Sequence, residues 1–221
     1  MKRTIRVFSL LLAAVMLLSA QALAAEPAQA FTDVSKQDYF YDAVNWAVEK
    51  EITSGVSKDV FAPNRDCTRA DFVTFLWRAA GKPVVNYAMN FSDVKESSYY
   101  AEAVRWAASL GIVTGLSQNT FGAANAVTRE QAVTMLWRFA KQQGFDTTQG
   151  GMAIREYNDY DSLSAYAREA MAWAVNTEIL KGAIMDALAT ALIYLKLLEL
   201  PQGGSVCIGM LPIFLYSARW G

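Results

Sequence analysis

Apolar residues recur along this chain at two different intervals, and the change of interval divides it into regions. Behind the basic start Lys2, Arg3 and Arg6, Val7 to Ala20 is an almost continuous apolar run of about 14 residues, followed by the small residues Ala22-Leu23-Ala24 and then Glu26-Pro27. This pattern predicts a secretory signal peptide over residues 1–25, cleaved after Ala24 or Ala25, with Ala28-Gln29-Ala30 as a second candidate. The run is shorter than the ~20 residues that span a bilayer. From Tyr39 onward the interval becomes that of an amphipathic helix. Phe40, Ala43, Val44, Ala47 and Val48 share one face and predict a helix over 39–50, with Asp38 or Ser35 as its start signal. Phe72, Val73, Leu76, Ala79 and Ala80 predict a second helix that opens after Thr68. The pair then recurs. A helix over 99–110 is stopped by Gly111, and another opens after Thr128 with Ala132, Val133, Leu136, Phe139 and Ala140 as its stripe.

The recurrence is literal as well as periodic. A shift of 60 residues aligns Phe31-Thr32-Asp33-Val34 with Phe91-Ser92-Asp93-Val94, Trp46 with Trp106, Gly55 with Gly115, Thr68-Arg69 with Thr128-Arg129, and Leu76-Trp77-Arg78 with Leu136-Trp137-Arg138. Residues 31–80 and 91–140 share 20 identities in 50 without a gap, where unrelated sequence gives roughly three. A third copy starts at Tyr157-Asn158-Asp159-Tyr160 and runs through Trp173 to Gly182, after which no Thr-Arg pair and no Leu-Trp-Arg follows. The units are therefore 31–83, 91–144 and a partial 155–182, joined by polar linkers and followed by an anomalous apolar tail over 183–221. Two helices and a short loop cannot bury both faces alone, so the units must pack on one another as an all-α module.

Composition narrows the chemistry. The 221 residues are 53% hydrophobic and 19% charged, with 20 basic and 21 acidic side chains, which excludes whole-chain disorder and lacks the basic footprint of a nucleic-acid binder. Removing residues 1–25 leaves 17 basic against 21 acidic groups, a net charge of −4. With no histidine, Ser/His/Asp triads and His-bearing metal sites are excluded. Two cysteines, Cys67 and Cys207, are too few for a disulfide framework or an all-cysteine zinc site, and no disulfide between them is expected. Nothing calls for a cofactor or metal.

The repeated polar residues are the candidates for function, each with a structural alternative. Thr68 and Thr128 fit N-caps, with capping boxes completed by Asp71 and Gln131. Arg69 and Arg129 oppose the dipole of the helix they start, twice at equivalent positions. Beside unpaired N–H groups they form a pocket for a carboxylate or phosphate, or else they pair with neighbouring acids. Trp46, Trp106 and Trp173 fit core packing or a sugar platform. Asp33 and Asp93 cap a turn or accept from sugar hydroxyls, and Gly55 and Gly115 supply a backbone shape or room for a ligand.

Phe-x-Asp-Val, a helix with Ala and Trp, a Gly-bearing loop, a Phe and Thr-Arg opening the second helix together resemble the surface-layer homology (SLH) domain over residues 31–182. The resemblance implies repeats packed as a three-pronged pseudo-trimer, here with the third prong incomplete. It implies export to the bacterial wall and noncovalent binding of secondary cell-wall polysaccharide, often pyruvylated, in grooves between repeats. On this chain it assigns Arg69 and Arg129 to the ligand's anionic group, and Thr68, Thr128, Gly55, Gly115, Trp46 and Trp106 to the groove walls. Departures are Cys67 for a branched aliphatic residue, Asp71 for Glu, and Gln131 after Arg129-Glu130.

The expected function is a non-catalytic wall anchor with cell-wall polysaccharide as its partner, without nucleic acid and without a membrane span once the signal is removed. The alternatives are a carboxylate-dependent cell-wall glycoside hydrolase, and a self-assembling surface protein whose incomplete third repeat is completed between chains. The tail reads as a frameshift product, because Pro201 to Val206 can be back-translated into a second-helix motif in another register.

Overall fold

The computed structural model describes residues 31–180; the leader, residues 181–221 and with them Cys207 lie outside the described residues. Within 31–180 there are five α-helices and no strand: α1 Tyr41–Glu49, α2 Arg69–Ala79, α3 Ala101–Ser109, α4 Arg129–Gln142 and α5 Arg168–Asn176. Short 3-10 turns at Met152–Glu156, Tyr160–Ser162 and Ala165–Ala167 lead into α5.

The two kinds of helix begin differently. In α2 the Thr68 hydroxyl accepts from Asp71 N at 3.1 Å while Asp71 Oδ2 accepts from Thr68 N at 3.3 Å, a full capping box. Thr128 and Gln131 repeat the box at α4. No side chain caps α1 or α3, whose N-cap residues are Phe40 and Tyr100. A turn replaces the cap: Asp38 Oδ2 accepts from Ser35 N at 2.7 Å, and Asp38 O then accepts from Tyr41 N at 3.0 Å. This turn uses residues 38–40, so the helix starts two residues later than the hydrophobic spacing predicts.

Packing runs between repeats. α2 lies along α3, α4 lies along α5, and α2 also touches α4. Phe72, Leu76, Ile112, Phe121, Leu136, Phe139 and Met171 are the large side chains closed off at these contacts. Each such burial is worth about 1.5–3 kcal/mol relative to exposure. Inside a repeat the helices are tied by a strap instead. Arg78 donates to Ile52 O at 3.0 Å, and Arg138 to Ile112 O at 3.4 Å, joining the second helix to the loop that follows the first.

The tryptophans belong to this framework. Trp106 is 3% exposed and meets Phe139 edge-on with ring centroids 6.0 Å apart, so it offers no open face to a sugar. Trp77 donates to Pro83 O and Trp137 to Thr147 O, pinning the linkers that leave each repeat. Trp173 is equally buried, and Trp46 is half-buried.

Candidate functional site

The loop that follows the first helix of a repeat is shaped by its Phe-x-Asp-Val aspartate. Asp93 Oδ1 accepts from Phe121 N and Oδ2 from Gly122 N, both at 2.7 Å. Asp33 makes the same pair with Phe61 N at 2.9 Å and Ala62 N at 2.7 Å. Burial pushes each carboxyl upward, but the backbone donors outweigh it and hold both below the ordinary carboxylate value. Of the two roles expected for these residues, the geometry places both oxygens of each on loop backbone. The glycines sit where the loop doubles back: a Cβ on Gly115 would collide with the Ser117 and Thr120 carbonyls and the Phe91 ring, and one on Gly55 with Phe31 and Val60 O.

Arg69 reaches into the loop of the following repeat. Its Nε donates to Phe121 O, one terminal nitrogen to Gln131 Oε1 and the other to Thr114 O, each at 3.0 Å. The guanidinium also lies 4.8 Å from the centre of the Phe121 ring. Arg69 is 3% exposed; burial lowers its pKa, and the Tyr166 and Asp93 side chains oppose that shift. The backbone of the same turn is engaged too. Arg69 N donates to Asn125 O at 2.9 Å, Ala70 N to Ala123 O at 3.1 Å, and Val127 N returns a bond to Cys67 O at 2.9 Å. With Asp71 N on the Thr68 hydroxyl, the orphan donors of this helix start are used up by protein.

That corrects the expected anion pocket at α2. The unpaired N–H groups on which it depends are occupied, and the guanidinium is held by two carbonyls and an amide instead of by acids. Arg69 is a peg that fastens repeat 1 to repeat 2. Arg129 is buried as well, at 5% exposure, and the residues of the third repeat that would correspond to 114–121 lie outside the described residues. Cys67 is half-buried and unpaired among the described residues, with burial pushing its thiol up to about 12.

The accessible groups line the seams between repeats, and sequence reasoning passed over them. Tyr99, 62% exposed, donates from Oη to Asp71 Oδ1 at 2.6 Å, and Arg65 pairs with Asp71 Oδ2 at 3.0 Å. Burial and then the Asp71 carboxylate push the Tyr99 phenol upward. Tyr166, 54% exposed and equivalent to Tyr99, has its phenol pushed upward by burial and then by the neighbouring Glu130 carboxylate, and Glu130 accepts from Ser164 N at 3.2 Å. Each seam thus carries an exposed phenol ring beside an acid of the preceding repeat. The only signal in the sequence was the recurrence of Tyr seven residues before the tryptophan, at Tyr39, Tyr99 and Tyr166. Among the described residues no group of three metal-ligating side chains occurs, and no helix is long and apolar enough to cross a membrane.

With this geometry in place, the likeness to known proteins is specific. Residues 30–73 and 90–133 each match the S-layer homology domain family. The chain carries two S-layer homology domains. It is 30% identical to an endoglucanase of Bacillus sp. (strain KSM-635) over 69% of this chain but 16% of that protein. It is 27% identical to an amylopullulanase of Thermoanaerobacterium thermosulfurigenes over 73% of this chain and 8% of that one. The S-layer protein sap of Bacillus anthracis is 24% identical over 61% of this chain and 16% of its own length. The chain therefore spans a sixth or less of these relatives. The family and its surface-layer members put the S-layer homology chain at the bacterial cell wall or surface, in keeping with the leader. Residues 179–221 match a different family, the thiamine transporter protein. The frameshift expectation for the tail falls on residues outside those described.

Proposed function

We propose that this protein is a non-catalytic anchoring module that binds secondary cell-wall polysaccharide, pyruvylated in the favoured case, along the seams between its S-layer homology repeats. The observation that carries this reading is the match of both complete repeats to one family, and the share of the enzyme relatives that the chain covers supports attachment over catalysis. The arrangement implied is the three-pronged pseudo-trimer with its third prong incomplete.

The seams supply the chemistry. Tyr99 and Tyr166 offer ring faces on which a pyranose can stack, with the Tyr99 hydroxyl fixed by Asp71 and the Tyr166 phenol beside Glu130. Arg65, with 55% of its side chain exposed, is the cation within reach of an acidic substituent in the first seam. Arg69 contributes its charge from beneath the second seam, near Tyr166, while Thr128 and Gln131 form that rim. Sedimentation with purified sacculi tests the reading. Wild type pellets with the wall, and chemical removal of the polysaccharide abolishes pelleting. Tyr99→Ala with Tyr166→Ala weakens binding at least tenfold while leaving the helical circular dichroism intact. Undiminished binding of that double variant overturns the seam assignment.

The match of residues 179–221 to the thiamine transporter family favours a second reading, in which the chain continues into a membrane-transporter segment and is held at the membrane. Alkaline carbonate extraction separates the two. Release into the supernatant supports the wall reading; retention in the lipid fraction supports the second.

A further inference from the structure

The two seams share a plan but present charge differently. In each, an exposed tyrosine ring lies in the field of one carboxylate and one guanidinium: Tyr99 with Asp71 and Arg65 in the first seam, Tyr166 with Glu130 and Arg69 in the second. What differs is which of the two charges solvent can reach. In the first seam the cation is open and the acid is covered, with 55% of the Arg65 side chain exposed against 14% of Asp71. In the second seam both charges are shut in, Arg69 at 3% exposure and Glu130 at 5%.

The difference is written into the repeat. Across the 60-residue offset, Arg65 and Asp71 become Asn125 and Gln131, so an ion pair gives way to two neutral amides. Hydrogen bonding follows the same division. Asp71 is occupied by protein: Oδ2 accepts from Arg65 Nη2 at 3.0 Å and from Thr68 N at 3.3 Å, and Oδ1 accepts from Tyr99 Oη at 2.6 Å. Arg65 gives one nitrogen to that carboxylate, and its Nε and Nη1 donate to no described residue. Arg69 has all three of its nitrogens committed, to Phe121 O, Gln131 Oε1 and Thr114 O. A guanidinium with open donors is matched to a carboxylate, whereas primary amides pair with hydroxyl and N-acetyl groups without regard to charge.

From this contrast we infer, on the footing of polysaccharide binding at the seams, that the two seams divide the polymer between them: the first, through Arg65, selects a sugar that bears a carboxylate, and the second, rimmed by Asn125 and Gln131, takes an uncharged sugar. Arg65 is then the residue that sets the preference of the whole module for acidic polymer. An incoming carboxylate meets Arg65 ahead of Asp71, whose charge is already shared among three donors. In the second seam the same group finds neutral amides and, beneath them, the opposed charges of Arg69 and Glu130, which leave little net field at the rim. The attraction at Arg65 is exposed, so added salt screens it.

The test compares two probes against the full-length protein by isothermal titration: isolated secondary cell-wall polysaccharide, and the same polymer with its carboxylates capped as neutral amides by carbodiimide and ethanolamine. The protein should bind the native polymer at least tenfold more tightly than the capped one at low salt, and the ratio should shrink as salt rises. Arg65→Gln should bring that ratio close to one, and Arg65→Lys, which keeps the charge, should restore most of it. Tyr166→Ala should weaken binding of both polymers by a similar factor and leave the ratio standing. Circular dichroism checks that each variant keeps its helices. Equal binding of the two polymers by the wild type overturns the inference, as does a ratio that survives Arg65→Gln or collapses in Tyr166→Ala; in all three cases the anchoring reading stands, because the protein still binds the polymer. Binding of neither polymer is the separate result that removes the anchoring reading and the division of the seams with it.

Discussion

The loop over 50–66 and the loop over 110–126 share their fold, their aspartate clamp and their strap to the second helix, but only the later one is finished. Phe121, Ala123 and Val127 are buried beneath α2, and the Arg69 guanidinium is seated on Phe121 O and Thr114 O; Phe61, Pro63 and Cys67, at the same positions, remain half-exposed. The difference shows that the repeat visible in the sequence is not the unit that packs. The packing unit is the second helix of one repeat together with the first helix and loop of the next. An arginine that opposes its own helix dipole is tolerated because its favourable contacts lie across that boundary, where they outweigh a dipole cost of some tenths of a kcal/mol.

The largest effect should come from removing the peg. Arg69→Ala leaves Phe121 O and Thr114 O without their donor, unpairs Gln131 and opens a cavity, and should cost about 3 kcal/mol. Arg65→Ala, on the unfinished loop, removes one exposed ion pair and should cost no more than about 0.5 kcal/mol. Urea unfolding followed by circular dichroism measures both, and equal costs would end the comparison. Next come the clamps. Asp93→Ala and Asp33→Ala each delete two charge-assisted bonds to backbone, worth about 2 kcal/mol together. Asp93 also fixes the carbonyl that holds Arg69. A double-mutant cycle should therefore show coupling between Asp93 and Arg69 of roughly 1 kcal/mol, and additivity between Asp33 and Arg69.

Much of this was legible from the sequence. The 60-residue offset, the four helices of the complete repeats, both capping boxes and the core stripe follow from local rules, because caps and amphipathic periods act within a few residues. The destination of Arg69 was not legible. Its partners are carbonyls 45 and 52 residues away, and a backbone carbonyl has no residue type to signal it. The Trp106 platform failed for a related reason, since a tryptophan stripe looks the same whether solvent or the neighbouring Phe139 covers it. Tyr99 and Tyr166 were overlooked because an exposed tyrosine between helices carries no motif; only the fold brings Asp71 and Glu130 to their hydroxyls.

The aspartate clamps also set an acid limit. Both carboxyls titrate below their ordinary value in the folded state, so their stabilisation is complete above about pH 4 and is lost as pH falls through the folded values. Thermal unfolding should show the melting temperature dropping below about pH 4. Asp33→Asn with Asp93→Asn should lower the neutral-pH plateau and flatten that acid limb; an unchanged limb would remove the clamps as its cause.

The smallest effect concerns backbone shape, and it has the opposite sign. Repeat 2 places glycine at both left-handed positions of its loop, Gly111 at φ 67° and Gly122 at φ 77°. Repeat 1 holds Glu51 at φ 55° and Ala62 at φ 61° in the same places. A residue with a Cβ pays about 1 kcal/mol in this region, while glycine loses more chain entropy on folding, by roughly 0.5–1 kcal/mol. The two terms nearly cancel in an exposed loop, and Glu51 also gives up its ion pair with Lys82 when replaced. Ala62→Gly should thus stabilise by about 0.5 kcal/mol, and Glu51→Gly by less. At Gly122 a Cβ would collide with the Leu116 side chain, whereas repeat 1 accepts the Cβ of Ala62 at the equivalent place. Thermal unfolding followed by circular dichroism measures both variants, and a loss of stability in Ala62→Gly would mean that chain entropy outweighs backbone strain at this position.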